Sequence, residues 1–256
     1  MLEEGLVKTV KAGAAIVAVY ESRKAMGRAA AADAAAALRK ILSEKEEVNV
    51  IFPCAVSQLE MFDELFVAEG IAWDRVNAFV MDEYLGLPEN HPSLLSFFAE
   101  KHIFSRVKFK SCNAMNGANP DFEAECARYA ALLAEKPLDF SCMGIGENGH
   151  LAYNDPHVAD FNDKKLVKTV EIDATSRMQS IHDGTFKTLE EVPAVAMTVT
   201  IPPMLAPRMI ATVPGPQKAN ALRDTVNAEI STACPATILR NHAMVIYTDV
   251  DGAKYL

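Results

Sequence analysis

Short apolar runs rich in β-branched residues recur along this chain, and most are followed by a stretch of helical character. AAIVAVY (14–20) reads as a first strand, with Ser22 placed to cap an alanine-rich helix reaching about Lys45. VNVIFP (48–53) is a second strand, stopped by Pro53. Ser57 opens SQLEMFDELFVAEG, a predicted helix with Leu59, Phe62, Leu65 and Phe66 at helical spacing and Gly70 as its C-cap. RVNAFVM (75–81) and LDFSCMG (138–144) are further strands, separated by the helix FEAECARYAALLAEK (122–136). Later strands are expected at 166–171, 194–200, 208–213 and 244–248, with a helix from about Pro216 to Val226.

This alternation predicts an α/β fold: one modified doubly wound, mostly parallel sheet with helices on both faces, in a single domain spanning 1–256. Half of the residues are apolar, enough for a large core, and no low-complexity linker or internal repeat divides the chain. Ligands of such sheets bind beyond the carboxyl ends of the strands. Ser57 and Gln58, Asp82, the loop after LDFSCMG, and Lys218 all fall at such ends.

The net charge of −9, without a basic stripe, argues against nucleic acid as a partner. A small anion stays open, since a few local donors override the global field. The five cysteines are scattered and form no C-x-x-C pair, so they read as small buried residues in a reducing compartment. The longest uncharged run near the N-terminus, 12–20, is too short for a membrane span and is preceded by Glu3 and Glu4, wrong for a secretory signal. A cytoplasmic protein is expected, without a membrane partner. Homo-oligomer formation is left open. His91, His102, His157, His182 and His242 show no metal-ligand spacing.

MGIGENGHLAYNDP (143–156) contains Gly144, Gly146 and Gly149 at G-x-G-x-x-G spacing. A dinucleotide fingerprint must open a helix, because the pyrophosphate sits on the helix N-terminus. Here the following HLAYNDPHVADFND carries Pro156 and turn formers and has no helical face. The glycines are therefore read as letting the backbone bend and approach a substrate. His150 is a candidate acid–base group, with Asp155 or Asn148 placed to fix its tautomer; alternatively it satisfies backbone groups in the turn. Asp82, at a strand end, is either a general base raised in pKa by burial or a cap or lysine partner.

Together FVMDEYLGLPENHPS (79–93), MGIGENGHLAYNDP, AMTVTIPPMLAPRMIATVPGPQKANAL (196–222) and ISTACPATILRNH (230–242) resemble the glucosamine-6-phosphate deaminase/isomerase family, relatives of the 6-phosphogluconolactonases. The resemblance covers most of the chain from about residue 14. It implies no required cofactor, a sugar phosphate as substrate, and deamination coupled to aldose–ketose isomerisation of glucosamine 6-phosphate or its C4 epimer. It implies Asp82 as the proton-transferring base and His150 as the ring-opening group, with Asn148 and Asp155 beside it. Substrate contacts are expected from Ser57, Gln58, Glu83, Gly146 and Lys218, and Arg177 is a further candidate for the phosphate. The chain departs from the family pattern in three places: Asn148 stands where an aspartate is usual, Asp155 where a glutamate is usual, and PCAVSQ (53–58) replaces a glycine-rich loop. These leave two other readings: a lactonase-like hydrolase using His150 alone, and a catalytically weak sugar-phosphate binder.

Overall fold

A computed structural model describes residues 2–256. Strands β1 (Leu6–Ala12) and β2 (Ala15–Tyr20) form an antiparallel hairpin that turns at Gly13, φ +64°. Helix α1 (Arg23–Glu44) follows, its first turn capped by Ser22, which accepts from the Ala25 N–H. Next come β3 (Val48–Phe52), α2 (Leu59–Leu65), β4 (Val76–Val80), β5 (Asp82–Tyr84), α3 (Leu95–Ala99), β6 (Ser111–Asn113) and α4 (Phe122–Glu135). The second half holds β7 (Phe140–Met143), β8 (Val167–Glu171), α5 (Ala174–His182), β9 (Val195–Val199), α6 (Ile201–Met204), β10 (Arg208–Thr212), α7 (Ala219–Asn227) and β11 (Val245–Asp249).

Eight strands form the main sheet in the order β1-β2-β11-β10-β7-β3-β4-β6, parallel except for the β1 edge. Both faces of its central strands are covered, which is why those strands are largely apolar and do not alternate. Val17, Val19, Ile51, Phe79, Met143 and Ile246 point into one core with residues of α4 and α7. Ala18, Tyr20, Val50, Phe52, Ala78, Val80, Cys142 and Tyr247 point into the other with α1 and α2. The alanines of α1 let it lie close to α2: a Cβ on Gly27 would come within 2.6 Å of the Glu60 backbone. The fold class expected from the sequence is thus observed, with helices on both faces.

The departures are local. The runs 166–171 and 194–200 are strands, but they leave the main sheet: β8 and β5 flank β9 in a separate antiparallel sheet of order β5-β9-β8. The chain changes sheet between Val80 and Asp82, and Met81 O accepts from the Val199 N–H at the seam. Ser57 does not cap a helix. It lies in a 3-10 turn (Val56–Gln58), and α2 ends at Leu65, short of Gly70. The buried Gln58 side chain is drawn away toward Thr212 on β10 at this point. Of the cysteines, Cys126, Cys142 and Cys234 are buried, but Cys54 is half-buried and Cys112 is exposed on the edge strand β6. No described helix is long and apolar enough to cross a membrane.

Candidate active site

The chain order of the main sheet reverses between β3 and β7: β4 and β6 follow on one side, β10 and β11 on the other. The loops beyond this switch point part and leave a crevice. A cavity of about 450 Å³ lies there, bounded by Pro53–Ser57 after β3, Asp82 on β5, residues 92–95, Gly144–Gly146 and His150 after β7, α5, and Lys218. Four independent chain segments therefore deliver Ser57, Asp82, His150 and Lys218 to one space.

The glycine loop seats an imidazole. A Cβ on Gly146 would stand 2.0–2.3 Å from three atoms of the His150 ring, so the ring lies across that glycine. Gly149 turns the chain with φ +84°, and a Cβ there would meet Cys234 Sγ at 2.5 Å. The close approach at Gly146 serves the histidine ring; in the sequence it read as room for a substrate. No helix follows; Leu151 and Asn154 close a tight turn instead.

His150 is held from behind. Asn148 Oδ1 accepts from the His150 backbone N–H at 3.0 Å and sits 2.8 Å from its Nδ1. The amide cannot be turned over, because its Nδ2 faces the Asp155 carboxylate at 2.9 Å and Asp173 Oδ1 at 3.4 Å, both acceptors. Nδ1 therefore carries the proton, and Nε2 keeps the lone pair. Nε2 has no hydrogen bond among the described residues. Asp155 is fully buried. Burial would raise its carboxyl, but the neighbouring His150 ring first, and then bonds from Asn148 and Ser176, hold it at about 2.

Asp82 is the opposite case. Its carboxylate has no hydrogen bond or ion pair among the described residues. Burial, and after it the charge of Glu83, pushes it up to about 8. Glu83 points away from the cavity. It accepts from the backbone N–H groups of Tyr84, Leu95 and Ser96, each at 2.8 Å, and so fixes the start of α3.

Lys218 ends a 3-10 turn (Pro216–Lys218) leading into α7 and is 5% exposed. Its ammonium has no hydrogen bond or ion pair among the described residues. Burial pushes its pKa down, against the charges of Asp183 and Glu147. A buried cation on a cavity wall without a bonded partner is a place for an anion. Ser57 Oγ lies on the same wall, accepting from Gln58 Nε2 at 3.1 Å.

Three expected substrate contacts are not brought to the cavity. Gln58 is buried, bonded to Thr212 and tying the β3 loop to β10. Glu83 holds backbone amides. Arg177 points into the loop between α5 and β9, donating to Leu189 O at 2.7 Å and Val192 O at 2.8 Å. Asn148 and Asp155 stand behind the ring. The sequence reading missed α5, although Asp173 announces it as an N-cap, its side chain accepting from the Thr175 N–H. With α5 it missed Ser176, whose Oγ is 2.7 Å from His150 Nδ1.

The family model described as glucosamine-6-phosphate isomerases/6-phosphogluconolactonase matches residues 21–247. The chain belongs to this family. Among its relatives, a protein of Listeria monocytogenes named glucosamine-6-phosphate deaminase is 32% identical over 212 residues, covering 82% of this chain and 88% of its own. One of Bacillus cereus with the same name is 30% identical, covering 81% and 78%. A solved structure of a monomeric glucosamine-6-phosphate deaminase superposes with a TM-score of 0.84 at 24% identity, covering 94% of this chain and 99% of that one. The 6-phosphogluconolactonase of Thermotoga maritima has a TM-score of 0.73 at 18% identity, covering 92% and 99%. At those identities the two structures speak for the shared family fold.

Proposed function

We propose that the chain is a cofactor-independent amino-sugar-phosphate isomerase/deaminase working as one domain. It converts glucosamine 6-phosphate, or its C4 epimer, to the ketose 6-phosphate and ammonia. The observation that carries this reading is the unbonded carboxyl of Asp82, raised to about 8, facing the same cavity as His150 and Lys218. A lactone hydrolase needs a group to activate water, for which His150 would suffice. A half-buried carboxyl with nothing bonded to it suits removal of a proton from carbon. Relatives named glucosamine-6-phosphate deaminase, 30–32% identical over most of the chain, support the same choice.

In this reading Lys218 and Ser57 take the phosphate. The ring opens as the C1 hydroxyl loses its proton, the C1–O5 bond breaks and O5 gains a proton; His150 Nε2 shuttles it. The substrate's C2 ammonium, now beside Asp82, favours the ionised carboxylate over the protonated form of the empty cavity. Asp82 takes the C2 proton, the electron pair forms the C1–C2 double bond while O1 takes one of the ammonium protons to give the enol, and Asp82 returns its proton at C1. This leaves an imine at C2. Water adds there and ammonia departs, so one water is consumed for each ammonia released.

The test is a panel of phosphorylated amino sugars, neutral sugar phosphates and 6-phosphogluconolactone, followed for ammonia and ketose together. Ammonia and ketose in equal amounts are expected from an amino sugar phosphate, and both should form at least about 10²-fold more slowly in Asp82→Asn. A panel in which no member yields either product would refute the proposal.

A further inference from the structure

Asp155 has been treated so far as a partner of His150, yet its Oδ1 stands 3.2 Å from Nδ1. A direct charge-assisted N–H···O bond is shorter, about 2.7–2.9 Å. Two other oxygens are nearer the ring nitrogen: Ser176 Oγ at 2.7 Å and Asn148 Oδ1 at 2.8 Å. A single Nδ1 proton does not serve three acceptors equally.

The direction of the Ser176 hydroxyl settles how they share it. Ser176 Oγ lies in very close contact with Asp155 Oδ1. The carboxylate, held ionised, has no proton to give, so the hydroxyl hydrogen points at Asp155 and an oxygen lone pair faces Nδ1. The carboxylate is itself fixed. Its Oδ2 accepts from the Asp173 N–H at 2.8 Å, and its Oδ1 from Asn148 Nδ2 at 2.9 Å. Ser176 is 2% exposed and stands in the first turn of α5, three residues after the Asp173 cap.

The geometry points to Ser176 as a positioning residue of the reaction: its hydroxyl passes the negative charge of Asp155 to His150 and, with Asn148, holds the ring as the Nδ1–H tautomer. As a role in catalysis this rests on the deaminase reading; the arrangement of hydrogen bonds does not. A carboxylate polarises the hydroxyl bonded to it, which makes that oxygen a better acceptor for the next donor. When Nε2 takes a proton during ring opening, the imidazolium is balanced by Asp155 through this bridge, and Asp155 stays ionised throughout. The bridge also explains how the site accommodates an amide at 148 and a short acid at 155. The amide supplies orientation without charge, and the serine carries the charge across the gap that the short acid leaves.

Other charged and titratable groups face the ring. Tyr153 lies 6.4 Å away between ring centroids, Asp173 reaches it through Asn148, and Asp82 and Lys218 share its cavity. None of them approaches Nδ1 within hydrogen-bond distance.

The test uses the full chain with ¹⁵N-labelled histidine and the variants Ser176→Ala, Ser176→Cys and Ser176→Thr. In Ser176→Ala, kcat is expected to fall by about tenfold or more while KM stays within about twofold, because a hydrogen bond to a charged network is lost and no substrate contact is. The Nδ1–H proton resonance of His150 should move upfield and exchange faster with water. Ser176→Thr should restore both. Ser176→Cys, similar in size but a weak donor, takes the place of the alanine variant if that one melts below the assay temperature. An unchanged Nδ1–H resonance in Ser176→Ala overturns the inference, whatever happens to kcat; so does an effect confined to KM. If the wild type turns over no sugar phosphate, the deaminase reading fails, and the resonance still decides the role of Ser176.

Discussion

The cavity has two corners built on opposite plans. Around His150 every polar atom behind the ring is bonded: Asn148, Asp155, Asp173 and Ser176 form one network anchored on the first turn of α5. Around Asp82 there is none of this, only burial and the charge of Glu83. A proton shuttle has to present one nitrogen at a fixed place, and fixed hydrogen bonds to the other nitrogen achieve that. A carbon base has to be strong when substrate arrives, and hydrogen bonds to its carboxylate would weaken it by stabilising the ionised form. The first corner sets geometry and the second sets basicity.

The sharpest way to break this comparison is Asp82→Asn. Turnover should fall by about 10²–10⁴, the range for losing a general base. Stability should move the other way. The folded carboxyl titrates at about 8, above its ordinary 3.8, so between these values the native state binds more protons than the unfolded one. Stability of the wild type therefore declines as pH rises through that window. The melting temperature of the asparagine variant should draw level with or exceed the wild type progressively from pH 4 to pH 8, the gap then staying constant. The free wild-type protein should show kcat/KM rising with pH up to about 8. A wild-type acid limb near pH 4 would show that Asp82 is solvated and that the two corners do not differ in this way.

Gly146→Ala attacks the other corner. The new methyl cannot share space with the His150 ring, so the ring must leave its place over the loop. A loss of roughly 10²-fold in kcat is expected, of the order of removing a positioned acid–base group, with little change in KM. Lys218→Met should have a smaller effect, and on KM: about tenfold or more, from losing one charge-assisted bond to the phosphate. Inorganic phosphate should compete with substrate in the wild type and much less in the methionine variant.

These corners were unequally legible in the sequence. Asp82, His150 and Lys218 stand at strand ends, and strand ends can be found from apolar runs alone. The central strands of the main sheet were found for the same reason: β3, β4, β7 and β10 are buried on both faces and read as largely apolar segments. What depends on side-chain direction was not legible. β1 carries Lys8 and Lys11 on an exposed edge and lacks the apolar run that marks its neighbours. β5 is three residues long, and nothing in DEY tells that it changes sheet. Glu83 sits beside Asp82 in the sequence but points the other way, as adjacent residues on an extended chain do, and Gln58 turns away from Ser57 in the 3-10 turn they share to reach Thr212. Ser176 is separated from His150 by a turn, a strand and a helix cap, so its contact exists only in the folded chain.

Arg177 gives the smallest expected effect on activity and the cleanest distinction between sequence position and structure. The sequence made it a candidate for the phosphate; Ser176, its neighbour on α5, does face the cavity, and Arg177 is turned away. Its guanidinium donates to the Leu189 and Val192 carbonyls, which fixes the loop entering β9. β9 in turn pairs with β5, on which Asp82 stands. Arg177→Ala should therefore leave KM within about twofold, as for a change away from the substrate, and lower stability by about 1–3 kcal/mol through the loss of the part-buried bonds from its guanidinium to two loop carbonyls. Thermal melting with and without phosphate separates the two roles. An arginine that binds phosphate would lose the stabilisation phosphate gives, whereas one that fixes the loop would lower both melting temperatures equally. Equal lowering is expected, because the side chain that reaches two carbonyls in that loop does not line the cavity on whose wall Lys218 stands.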